Sequence, residues 1–125
     1  MSDATSVVDA LKPFELEVIR VLAAHALTPS ALATLAKPAA PILYRYSGSG
    51  YFLTLKDPSF PIKRQTFCVP PIVGRSENIV SGFVVFVGNG ELTLECHDWG
   101  HINVPSDFRD RDVVVREPLP EDFGK

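Results

Sequence analysis

The composition of the chain changes near residue 40, and this change limits the folds open to it. All eight glycines lie after this point, with most of the valine, phenylalanine and tyrosine, whereas alanine and leucine dominate before it. Alanine and leucine favour helices, while β-branched and aromatic residues favour strands. The sequence therefore predicts a helical first third followed by a sheet.

Two helices are predicted over residues 12–37. Pro13 suits the first turn of a helix, and the apolar residues after it recur at helical spacing. Thr28-Pro29 then combines a capping residue with a proline at the first helical position. This pair predicts a break, followed by a second helix over Ser30–Ala36.

Alternating apolar residues predict five or six strands between residues 42 and 116. The strongest signal is Asn89-Gly90, which lies between Phe83–Val87 and Glu91–His97. Both turn positions tolerate a positive φ, so the segment predicts a tight hairpin. The other connections are short, which favours a meander.

We therefore expect one α+β domain over residues 1–125, with two N-terminal helices packed on a five- to six-stranded antiparallel meander sheet. Residues 1–11 and 117–125 are expected to be loose. A domain of this length buries enough surface to fold without a metal or a disulfide. The predicted core consists of Phe14, Val18, Ile19, Leu22, Leu53, Leu55, Phe67, Phe83, Val85, Leu92 and Leu94.

Composition argues against several classes of function. Twelve Lys and Arg against fifteen Asp and Glu give a formal charge of −3, which disfavours binding to nucleic acid. No apolar run approaches the roughly 18 residues of a membrane span. Residues 1–10 lack the basic start of a signal peptide, so a cytoplasmic location with reduced cysteines is expected.

No complete catalytic set is present, so we expect a protein that is not an enzyme and needs no cofactor. The densest polar segment is 96–101, where Cys96, His97, Asp98 and His101 are all residue types that bind zinc. A strand would place Cys96 and His97 on opposite faces, and no second pair of ligands follows. This favours a strand that enters a turn over a metal site.

Aromatic residues gather in or near the predicted turns and strand ends. Tyr and Trp combine apolar area with a polar group and therefore suit interfaces. Together with nearby charged residues they predict a mixed aromatic and charged face that binds another protein. The candidate contact residues are Tyr44, Tyr46, Glu95, His97, Trp99, Arg109 and Arg111.

Residues 82–115 contain a characteristic order of short motifs: Gly82, Asn89-Gly90, Leu92-x-Leu94-Glu95, Trp99 and Pro105. This order resembles the closing module of many small uncharacterised bacterial proteins, some of which are assigned as toxin-immunity proteins. The resemblance implies a non-enzymatic bacterial protein that binds another protein. It transfers no catalytic residue.

Three functions remain open on the sequence. The first is a protein-binding module, such as an immunity-like inhibitor whose acidic balance masks a basic nuclease toxin. The second is a small metal- or ligand-binding protein centred on residues 96–101. The third is a structural subunit that forms a homodimer, with the hairpin Phe83–His97 at a sheet edge pairing with that of a second copy.

Overall fold

A computed structural model describes residues 4–100 and 102–123 of the chain. Its helices are α1 (Pro13–Ala23) and α2 (Pro29–Ala36), and short 3-10 turns cover Ala24–Ala26, Phe108–Asp110 and Pro120–Phe123. Its strands are β1 (Ala4–Val8), β2 (Ile42–Tyr46), β3 (Tyr51–Lys56), β4 (Gln65–Phe67), β5 (Val73–Ser76), β6 (Ile79–Gly88), β7 (Glu91–Asp98) and β8 (Val114–Arg116).

The eight strands form one antiparallel sheet, which confirms the α+β class. The strand order is β1-β2-β3-β7-β6-β5-β8, and β4 pairs with β6 beyond the end of β5. The expected five or six strands were therefore too few. The sheet is also not a simple meander, because β7 lies between β3 and β6.

Two strands were missed by the sequence prediction. Residues 1–11 were expected to be loose, but Ala4–Val8 pairs with β2 along its whole length, so a strand precedes the two helices. Strand β5 was not predicted either. It pairs with β6 through a short turn of Glu77, at a φ of 57°, and Asn78.

The hairpin of β6 and β7 forms where Asn89-Gly90 predicts it, and both turn residues have a positive φ. It lies inside the sheet, with β3 on one side and β5 on the other. The hypothesis that this hairpin pairs with a second copy at a sheet edge is therefore wrong. The two ends of the strand order are β1 and β8.

The helices begin where capping and proline signals predict. The Lys12 N–H donates to the Glu15 carboxylate at 2.7 Å, and the Thr28 hydroxyl accepts a hydrogen bond from the Ala31 N–H at 3.1 Å. Helix α1 ends at Ala23 and continues as a 3-10 turn. Within the described residues, no helix is long and apolar enough to cross a membrane.

The core lies between the helices and one face of the sheet. Ten of the eleven predicted core residues are buried, while Phe67, on the short strand β4, is only partly buried. Leu53, Leu94 and Val85 form one buried row across β3, β7 and β6. Because side chains alternate along a strand, the neighbours of these residues point away from the helices.

Candidate binding surface on the open side of the sheet

The side of the sheet that faces away from the helices carries a mixed apolar and charged surface. Its side chains come from alternate positions of β2, β3, β7 and β6, and the strand register aligns them in rows. We call this surface the open face. It consists of Leu43, Arg45, Phe52, Thr54, Lys56, Val84, Phe86, Glu91, Thr93 and Glu95.

One row of the open face combines an aromatic ring with charges of both signs. Arg45, Phe52, Glu95 and Val84 lie side by side on four neighbouring strands. The guanidinium carbon of Arg45 lies 4.7 Å from the centre of the Phe52 ring. This contact places the guanidinium over the ring, within the distance at which a cation–π interaction forms.

The next row is less charged and more exposed. It consists of Leu43, Thr54, Thr93 and Phe86, and the two threonine hydroxyls share a hydrogen bond of 3.0 Å. Leu43 is 47% exposed and Phe86 is 37% exposed. The row therefore presents apolar side chains to solvent on both sides of a satisfied polar pair.

A groove of about 480 Å³ opens beside Phe86 at the hairpin end of the open face. Arg64, from the connection before β4, lines this groove and lies directly over Gly88. A Cβ built on Gly88 would come 2.8 Å from Arg64 Cγ, so glycine is needed for Arg64 to lie there. At the same end Lys56 and Glu91 form an ion pair of 3.5 Å.

His97 and Trp99 close the opposite end of the open face. Their rings stack with centres 6.4 Å apart. Both rings lie against Gly82, where a Cβ would come 2.4 Å from His97 Cε1 and 2.6 Å from Trp99 Cε3. The Nδ1 of His97 is 2.9 Å from the carbonyl oxygen of Asp98. The absence of a side chain at Gly82 therefore positions this aromatic pair.

The C-terminal turn is anchored near this end, although residues 117–125 were expected to be loose. Arg116 donates hydrogen bonds of 2.5 Å and 3.0 Å to the buried carboxylate of Asp122, which also accepts the Leu119 N–H at 2.6 Å. These hydrogen bonds lower the pKa of Asp122, and those from the Arg116 side chain contribute most. Arg75 also binds Glu121 at 2.9 Å.

The seven predicted contact residues do not form one surface. Glu95 lies on the open face, with His97 and Trp99 at its end. Tyr44 and Tyr46 lie on the helix side of the sheet instead, since Tyr44 pairs with Leu53 and shares the side of that core residue. The Tyr46 hydroxyl donates to the carbonyl of Val104 at 2.8 Å, so its polar group is used within the fold.

Arg109 is buried and has a structural role. Its Nε and Nη2 donate to the two carboxylate oxygens of Glu15 at 2.7 Å and 2.9 Å. The same carboxylate accepts the Tyr51 hydroxyl at 2.6 Å and the Lys12 N–H at 2.7 Å, while Nη2 also donates to the carbonyl of Ala10. This network ties the start of α1 to β3 and is not available to a partner.

Arg111 lies away from the open face as well. It is bound to Asp107 at 3.1 Å and approaches Glu77 at 3.8 Å, within a charged region that also includes Asp110 and Asp112. Acidic residues outnumber Arg111 in this region, so part of the negative charge of the chain lies here. The open face does not carry that excess.

The proposed zinc-binding segment does not converge in the described side chains. Cys96 is buried on the helix side, His97 lies on the other side of the sheet, Asp98 is exposed, and His101 lies outside the described residues. Burial raises the pKa of the Cys96 thiol to about 12, whereas zinc binds the thiolate. In the described ranges, no three His, Cys, Asp or Glu residues gather as metal ligands would.

We expect the fold to lose stability above about pH 9 because of Cys96. The unfolded state gives up the thiol proton near pH 9, while the folded state retains it up to about pH 12, so stability falls as pH rises through this window. The loss from this thiol should be about 1 kcal/mol at pH 10. Urea unfolding at pH 8 and pH 10 measures it.

Cys96→Ala should lower the free energy of unfolding at pH 8. From pH 8 to pH 10 this free energy should then fall less than it does in the unsubstituted chain. Cys68→Ser, at the exposed cysteine, is the matched control and should keep the full pH dependence. An equal alkaline loss in Cys96→Ala and in Cys68→Ser would show that the buried thiol is not responsible.

Comparison of the chain with family models, with curated proteins and with solved structures gives no match. The resemblance of residues 82–115 to bacterial immunity proteins therefore remains a prediction. We therefore infer a function from the geometry of the open face.

Proposed function

We propose that this protein is a non-enzymatic module that binds another protein through the open face. The observation that carries the proposal is a broad sheet covered by helices on one side. On the other side Leu43 and Phe86 are exposed, and Arg45 lies over the half-buried Phe52. Aromatic residues and arginine are enriched where protein interfaces bind. Contiguous apolar surface with polar neighbours also marks interaction sites.

The charges of the open face define the partner that would fit it. Lys56 and Glu91 neutralise each other, which leaves Arg64 at the hairpin end, and Arg45 and Glu95 in one row nearer the opposite end. The complementary partner is a folded protein with an apolar patch, carboxylates that meet Arg64 and Arg45, and a basic side chain that meets Glu95. Such charges set orientation and association rate more than affinity.

The immunity-like function is the specific form of this proposal. In it the partner is a bacterial toxin held in an inhibited complex, in the cytoplasm, where Cys68 and Cys96 stay reduced. The mixed charge of the open face favours recognition of a particular patch over general masking of a basic protein. Glu95 is the residue that the motif resemblance and the open face share.

Tagged co-purification from the native organism, read by mass spectrometry, tests the proposal with two substituted chains. Phe86→Asp places a charge in the apolar row and should remove a stoichiometric partner, because it should weaken binding by about 2 kcal/mol or more. Val21→Asp is the matched control, since Val21 is 44% exposed on α1 and lies on the other side of the molecule.

The partner should co-purify with the unsubstituted chain and with Val21→Asp, but not with Phe86→Asp. Thermal unfolding of both substituted chains must first show that each one folds. A partner that Phe86→Asp retains and Val21→Asp loses would contradict the proposal. Purification of the unsubstituted chain with no stoichiometric partner would also contradict it.

A further inference from the structure

We propose that the outer edge of β1 pairs with the β1 of a second copy of this chain, so that the two sheets join. Strand β1 is the first in the strand order, and β2 is its only neighbour among the described strands. The register of Ala4–Val8 with β2 runs without a bulge over all five residues. The backbone of β1 therefore offers a regular pairing edge on its other side.

Nothing in β1 blocks such pairing. Proteins protect sheet edges with prolines, charged side chains, bulges or very short strands, and Ala4–Val8 has none of these. The opposite edge differs. There β8 has three residues, it ends at Arg116, which is bound to Asp122, and Glu117 and Pro118 follow. The third edge strand, β4, also has only three residues, and Lys63 and Arg64 precede it. Of these three edges, β1 is the one open to another strand.

The side chains next to this edge favour an added strand. Val7 is 59% exposed, and its partner across the pair, Leu43, is also exposed. On the other side of the strand, Val8 is partly buried against the core. A strand added outside β1 would cover Val7 and extend a cross-strand apolar row that already exists.

A second copy fits this edge because β1 is complementary to itself. In an antiparallel two-fold arrangement centred on Ser6, Ala4 faces Val8 of the second copy and Thr5 faces Val7 of the second copy. Ser6 faces Ser6 of the second copy. All five residues are paired, no charged residues oppose each other, and the open face of each copy stays free.

Disulfide trapping tests this arrangement. In a Cys68→Ser background, Ser6→Cys places two thiols opposite each other across the two-fold axis, with Cβ atoms about 5 Å apart. Mild oxidation should convert most of the chain to a covalent dimer. Ser30→Cys, at an exposed position on α2, is the matched control and should stay monomeric. No dimer from Ser6→Cys, or equal dimer from both, would overturn the proposal.

Sedimentation of the full chain over a concentration series provides the second test. We expect a concentration-dependent dimer, with a dissociation constant raised about tenfold or more by Val7→Lys, because a lysine beside the edge blocks pairing. Phe86→Asp should leave the dimer unchanged. A monomer at every concentration, or a dimer lost in Phe86→Asp and kept in Val7→Lys, would overturn the proposal.

This inference does not depend on the partner-binding function of the open face. Failure of β1 pairing would leave the co-purification result with Phe86→Asp unaffected. Failure of partner binding would likewise leave the expected disulfide of Ser6→Cys unaffected.

Discussion

Replacing Arg109 with methionine should destabilise the fold by about 3–5 kcal/mol. The substitution removes two charged hydrogen bonds from Glu15, whose carboxylate is fully buried and cannot reach water. An unpaired buried charge costs far more than the pair contributes, because the ion was desolvated on folding. Urea unfolding at neutral pH measures the loss.

Arg111→Met is the matched control for this prediction. Arg111 forms its ion pair with Asp107 at the surface, where such a pair contributes less than about 1 kcal/mol. A chain with both Glu15→Leu and Arg109→Met should recover part of the stability, because no buried charge is then left alone. If Arg109→Met lowers the free energy of unfolding no more than Arg111→Met does, the buried network contributes little to stability.

Gly50→Ala should cost about 3 kcal/mol or more, or prevent folding. A Cβ on Gly50 would come 2.0 Å from the carbonyl oxygen of Cys96, and this contact is to backbone rather than to a flexible side chain. To relieve it, β3 and β7 must move apart where Tyr51 pairs with Cys96. Thermal and urea unfolding measure the effect.

Gly48→Ala provides the comparison within the same turn. Gly48 has a φ of 97° and nothing within 4 Å of its built Cβ, so alanine there meets only backbone strain. The expected cost is about 1 kcal/mol. If the two substitutions cost the same, close approach of β3 and β7 is not what requires glycine at position 50.

The features predicted from the sequence are those with local causes. Thr28-Pro29 and Asn89-Gly90 act through capping and turn geometry within a few residues, and both occur as predicted. The alternation along β7 is also confirmed, since Leu92, Leu94 and Cys96 are buried and the residues between them are partly exposed. Such patterns depend only on the period of the strand.

The features missed from the sequence depend on contacts between distant residues. Glu15 and Arg109 are 94 positions apart, so nothing in the sequence around the first turn of α1 indicates the partner of Glu15. The place of β7 between β3 and β6 likewise follows from tertiary packing, because hairpin signals define neighbours in the chain and not the order of a sheet.

The candidate site was predictable in part. Glu95 was identified, and the hairpin register that places Phe86 opposite Thr93 follows from the Asn89-Gly90 turn. The place of Phe86 beside Thr93 could therefore have been predicted from this turn, although it was not. Arg64 had none, because its position over Gly88 results from the path of the connection before β4.

Methyl-resolved NMR tests whether a protein partner binds the open face. The methyl groups of Leu43 and Val84 lie on that face, while the exposed residue Val21 lies on α1, on the other side of the sheet. On titration with the purified partner, we expect the Leu43 and Val84 methyl resonances to shift and those of Val21 to stay unchanged. Shifts at Val21 with none at Leu43 and Val84 would show that the partner binds elsewhere.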